Sequence, residues 1–150
     1  MLHIITDLTD PLLALIKDDP VRPHIPLDFR VSEHSRVFVL LDPMFNRATA
    51  VVCVTFKDTI PISEYELQLA NHGLPTVAVF YTIWSYTQGA GRKLIQATQE
   101  WIRINHSSID HYVTLSPPTD MARKFHLKNG ADIHSVNPDT VNYIYRLVTK

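Results

Sequence analysis

The sequence lacks several things, and each absence narrows its chemistry. It has one cysteine, Cys53, so an intramolecular disulfide is excluded. Cys53 lies in the apolar run Val51-Val52-Cys53-Val54 with no neighbouring base to activate a thiolate, and it reads as a small buried hydrophobe. Eight histidines are scattered, with no C-x-x-C pair and no H-E-x-x-H, so no metal site is expected. No charge excess of either sign exists: the formal net charge is −1 over 150 residues. That balance argues against nucleic acid as a partner. No apolar run approaches the roughly 18 residues of a membrane span, and the start, MLHIITDLTD, has no basic stretch before an apolar one, so no secretory signal is expected. A cytoplasmic, single-domain chain is the expectation, with length enough to bury a core without staples.

What is present is organised around residues 75–105. An apolar, β-branched and aromatic run, Thr76 to Trp84, is followed by the polar elbow Ser85-Tyr86-Thr87-Gln88 and then by Gly89-Ala90-Gly91. Beyond the glycines Leu94, Ile95, Ala97, Thr98, Trp101, Ile102 and Asn105 recur at spacings of three and four, which predicts an amphipathic helix lying on a sheet. A strand, a tight glycine turn and a helix start aim unpaired amides and the positive end of the helix dipole at one point, a ready phosphate site. Gly89 and Gly91 let the main chain approach such a group closely.

In chain order, His3–Thr6 reads as a short strand. Asp10 and Pro11 then start a short helix that Asp18-Asp19-Pro20 ends. Pro20, Pro23 and Pro26 impose an irregular path to Phe29, a surface connection that borders a cleft in one reading. Arg36–Asp42 and Ala48–Phe56 form a hairpin. Ser63 and Glu66 predict a capping box at the head of a helix from Glu64 to Ala70. His111–Leu115 is a strand, and Thr119 caps a helix ended by Asn129-Gly130. Ala131–Val136 and Val141–Val148 are the last strands. The fold class is α/β (α+β): a mixed, partly antiparallel sheet of about six or seven strands with helices on both faces.

The stretch Tyr86 to Gly91 resembles the acyl-CoA-binding motif of the GNAT N-acyltransferase superfamily, written Q/R-x-x-G-x-G/A. Tyr86 stands at the Gln/Arg position, and Gly89 and Gly91 match. A second segment resembles the family's Asn-x-x-Ala, aromatic-Tyr and Gly-Phe series: Ala122, Phe125 and Gly130 match, while Thr119, His126 and Ala131 replace Asn, Tyr and Phe. The resemblance implies a GNAT-like fold and direct transfer of an acetyl group from acetyl-CoA to an amine acceptor. It places the pyrophosphate on Thr87, Gln88, Gly89, Ala90, Gly91 and Arg92, and the pantetheine arm along Phe80, Tyr81 and Thr82. His126 takes the position of the thiolate's proton donor, and an imidazolium with pKa near 6.5 would suit that role. Ser116 and Thr119 are weaker catalytic candidates. No general base stands out among Glu64, Glu66, His72, His106 and His111. The acceptor loops, residues 20–36 and 58–73, carry no acidic cluster that would signal a polyamine, and the apolar C-terminal strands offer a homodimer edge. The substitutions at Tyr86, Thr119 and His126 keep open a binding or structural protein on the same fold that has lost catalysis. A nucleotide-binding domain of another class would need an acidic residue after the next strand, where Ser116-Pro117-Pro118 stands instead.

Overall fold

Runs rich in Val, Ile, Thr and aromatic residues build the sheet because branched side chains pack well on a pleated surface. A computed structural model describes residues 1–146. Its strands are β1 (Leu2–Ile5), β2 (Ser35–Asp42), β3 (Arg47–Lys57), β4 (Val77–Ser85), β5 (His111–Thr114), β6 (Ala131–Val136) and β7 (Val141–Tyr145). They form one seven-stranded sheet in the order β1-β2-β3-β4-β5-β7-β6. Every neighbouring pair is antiparallel except β4 and β5, which run parallel. The expected mixed sheet is therefore present. The expectation of strand at residues 147 and 148 lies outside the described residues.

The helices are α1 (Leu27–Arg30), α2 (Glu64–Leu67), α3 (Ala90–Asn105) and α4 (Asp120–Lys128), with a 3-10 helix at Pro11–Asp18. On one face, Leu94, Ile95 and Ile102 of α3 are buried against Phe38, Val52 and Phe80 of the sheet. Each such side chain contributes roughly 1.5–3 kcal/mol by leaving water. Phe125 of α4 packs against the same cluster. On the opposite face the 3-10 helix, α1 and the loop between them cover Val37, Val51, Cys53, Val79 and Tyr81.

Three local expectations are corrected. The segment after Asp10 is a 3-10 helix, although its cap is as read: Asp10 Oδ1 accepts from Leu12 N at 2.9 Å. Pro20 denies its predecessor helical geometry, and the few residues available tighten into 3-10 turns. The proline stretch is not wholly irregular, because α1 forms one turn from Leu27. The helix at Glu64 stops at Leu67 rather than Ala70. Ser63 Oγ accepts from Glu66 N, but the Glu66 carboxylate reaches past the cap to Ile62 N, so the box closes one residue early.

Candidate functional site

Two features of the sheet open a site. First, β4 is bulged: Cys53 pairs with Thr82 and Val54 with Phe80, so Tyr81 is the extra residue. A bulge bends its strand and increases the local twist. Second, the parallel pairing of β4 with β5 ends at Phe80–Thr114, with a last bond from Leu115 N to Phe80 O. Beyond it the strands part, and a cavity of about 530 Å³ occupies the gap. Its walls include Phe80, Tyr81, Thr82 and Trp84 from β4, Leu115, Ser116 and Pro117 after β5, and Thr119, Ala122, Phe125 and His126 from α4. Pro20 and Val21 close it from the proline-rich loop, and Gly91 from the start of α3.

The loop wall is fastened from beneath. Asp19 and Arg30 form an ion pair at 2.9 Å with both side chains fully buried. Arg30 also donates to the carbonyls of Ile25 and Arg22. Asp19 accepts from Val21 N, Arg22 N and Thr82 Oγ1, each at 2.9 Å. Burial alone would raise the Asp19 pKa; these hydrogen bonds outweigh it and lower it. Arg22 Nη1 donates to the carbonyl of the bulged Tyr81. Lone arginines among prolines gave no sequence signal for this, because their partners lie up to 59 residues away.

The residues singled out from the sequence fall into two groups. His126, Ser116, Thr119, Phe80, Tyr81, Thr82 and Gly91 all line the one cavity. Thr87, Gln88, Gly89, Ala90 and Arg92 form the turn beside it. Gly89 caps α3 with φ 81°, a left-handed conformation that favours glycine. Ala90 N bonds to Thr87 O, while the Gly91 and Arg92 amides find no partner among the described residues. At Gly91 a Cβ would meet the Phe125 ring at 3.1 Å, so packing against α4 also calls for a small residue. Tyr86, at the Gln/Arg position of the motif, links Trp84 Nε1 (3.0 Å) to Asp18 Oδ2 (2.7 Å).

His126 is 4% exposed. Its Nδ1 lies 2.8 Å from Tyr145 Oη, a partner that sequence spacing did not suggest. The ring stacks on Tyr143 at 5.0 Å. The expected imidazolium is corrected: burial pushes the pKa down to about 4, so the ring is neutral at pH 7. Ser116 Oγ lies 2.8 Å from Thr114 Oγ1, and Ser116 exchanges two backbone bonds with Val141. None of the cavity's lining residues is Asp, Glu, Lys or Arg. Cys53 is buried, with its thiol pushed up to about 11 by desolvation.

A second cavity, of about 480 Å³, adjoins the first across Val21 and Pro117. Arg22, Glu64, Glu66, Asp139 and Thr140 line it. Arg22 Nε pairs with Glu64 Oε1 at 3.0 Å, and His24 with Glu64 Oε2 at 2.8 Å. Folding thus gathers acidic groups that look dispersed in the acceptor loops, because Asp139 arrives from the turn between β6 and β7. His72 and His111 are exposed, and His106 packs between Phe56 and Trp101. Among the described residues no group of three or more His, Cys, Asp or Glu could hold a metal, and no helix is long and apolar enough to cross a membrane.

No family model matches the chain, and no curated protein matches it significantly. Solved structures do. The malonyl-CoA decarboxylase of Agrobacterium vitis superposes with TM-score 0.79 at 20% identity, over 98% of this chain and 60% of that one. The Bacillus subtilis acetyltransferase in complex with CoA gives 0.66 at 11%, over 98% of both chains. Tetrahymena GCN5 gives 0.63 at 16%, over 99% of this chain and 98% of that one. The chain is a GNAT-fold protein. It spans about three fifths of the length of the decarboxylase that it resembles.

Proposed function

We propose that the main cavity holds a coenzyme A thioester and that the chain decarboxylates a malonyl-type acyl group. The observation that carries this reading is the lining: an apolar gap with no ionised side chain, in which His126 and Ser116 are buried polar groups. A β-carboxylate there has no cation to stabilise it, and loss of CO₂ removes its charge from a poorly solvating site. The bond between the carboxylate carbon and Cα breaks, and its electron pair moves through Cα to the thioester oxygen as an enolate. Hydrogen bonds from His126 and from Ser116, whose hydroxyl turns away from Thr114 Oγ1 to give one, stabilise that oxygen. Cα then takes a proton from water, leaving hydroxide, and the products are an acetyl thioester and CO₂. The unpartnered Gly91 and Arg92 amides at the head of α3 suit the cofactor's phosphates. The match to the decarboxylase fold supports the same reading.

A second reading, acetyl transfer to an amine, is favoured by the adjoining cavity. Glu64, Glu66 and Asp139 there suit a cationic acceptor. The neutral amine would attack the thioester carbon, and the CoA thiolate would leave and take the proton. Mass spectrometry of the thioester pool separates the two. Conversion of malonyl-CoA to acetyl-CoA with release of CO₂, needing no amine, is expected. Intact malonyl-CoA, with free CoA formed from acetyl-CoA and an amine panel, would replace the first reading by the second. No turnover of either would remove both.

A further inference from the structure

We infer that Tyr145 is a positioning residue that holds His126 as the Nε2–H tautomer, so that the cavity-side nitrogen is a hydrogen-bond donor rather than a base. Tyr145 is 5% exposed, and its hydroxyl has no partner among the described residues other than His126 Nδ1, 2.8 Å away. Two arrangements of that bond exist. If Nδ1–H donated to Oη, the phenolic hydrogen would be buried with no acceptor, leaving a polar group unsatisfied. If Oη–H donates to Nδ1, both groups are satisfied and the ring proton sits on Nε2. Burial keeps the phenol protonated, so the hydroxyl hydrogen is present to be donated. The ring cannot turn to exchange its nitrogens freely: Tyr143 stacks on it at 5.0 Å, and Phe125 meets it edge-on at 5.1 Å. His126 lines the cavity, and with Nδ1 committed, Nε2 is the nitrogen left to a ligand.

The tautomer follows from this geometry alone; its use in catalysis rests on the decarboxylation reading. A neutral Nε2–H is suited to an enolate oxygen and unsuited to taking a proton from an amine. The test is nitrogen-15 NMR of the His126 ring in the whole protein at pH 7. The wild type is expected to show a protonated Nε2 and an unprotonated Nδ1 that accepts a hydrogen bond. In Tyr145→Phe the Nδ1 resonance is expected to move toward its unbonded position. With malonyl-CoA, kcat is expected to fall while KM stays within twofold. A wild-type ring protonated at Nδ1, an even mixture of tautomers, or an Nδ1 signal unmoved by Tyr145→Phe would overturn the inference. The wild-type spectrum decides the tautomer even if the variant does not fold. An Nε2–H ring in a protein that leaves malonyl-CoA intact would overturn the decarboxylation reading and leave the tautomer standing.

Discussion

Replacing Arg30 by Met removes one half of a fully buried ion pair and tests how the loop wall of the cavity is held. Arg30 and Asp19 are both without solvent exposure at their side chains. In the Arg30→Met variant Asp19 keeps its bonds from Val21 N, Arg22 N and Thr82 Oγ1 but loses its counter-charge. Breaking a buried pair from one side destabilises by about 3–5 kcal/mol, because the remaining charge is uncompensated. With a urea m-value of about 2 kcal/mol/M, the unfolding midpoint should fall by about 1.5–2.5 M. Asp19→Asn alone strands the guanidinium and should be comparably damaging. The double variant Asp19→Asn/Arg30→Met should be less destabilised than the sum of the singles by about 1 kcal/mol or more. The assay is urea unfolding followed by far-UV circular dichroism, with the m-value checked for constancy. Additive singles, or an Arg30→Met shift below about 1 kcal/mol, would refute the idea that this pair fixes the loop. Asp19 also sets a pH dependence. Its folded pKa is lowered, so its stabilisation is present above the unfolded value and is lost as pH falls through the folded one.

Other consequences are equally measurable. His126 is buried neutral, with a pKa near 4 against about 6.5 unfolded. Between those values the unfolded chain binds the extra proton, so stability should fall by up to about 3 kcal/mol as pH drops from 7 to 4. His126→Gln should flatten that part of a pH series of thermal melts. Gly89→Ala places a Cβ at φ 81° and should lower stability by about 1 kcal/mol in urea unfolding. Gly91→Ala pushes on the Phe125 ring, and calorimetry should show weaker CoA binding as the cavity wall shifts. Ser116→Ala removes one of the two donors assigned to the enolate and should lower kcat for malonyl-CoA by about 10²-fold, with KM little changed.

Much of the architecture was readable because it is local. Continuous apolar, β-branched runs marked β2, β3 and β4, the three-four spacing from Leu94 to Asn105 marked α3, and Thr119 with Gly130 bracketed α4. The turn at Gly89 was readable for the same reason. What local sequence does not carry depends on pairing between distant segments. The bulge at Tyr81 is set by register against Cys53 and Val54, and the parting of β4 from β5 by where their pairing stops. Neither leaves a mark in either strand's own sequence. Arg30 carries no local signal of its role, because its partner Asp19 lies across the proline loop. The family resemblance drew attention to Thr119 and His126, and its hydroxyl to Ser116, but the sign of His126's pKa shift came from burial. Tyr145 lies in the last strand with no local mark of a role, and only the fold brings its hydroxyl to the His126 ring.

The claim beneath all of this is that a CoA thioester lies in the gap between β4 and β5 with its phosphates at the head of α3. Titration of the nitrogen-15-labelled protein with CoA, followed by two-dimensional amide NMR, tests it most directly. Saturable shifts confined to Val21 and to residues 80–92 and 115–126 are the predicted result. Unmoved spectra at millimolar CoA, or shifts clustered on β1, β2 and the 3-10 helix instead, would contradict it.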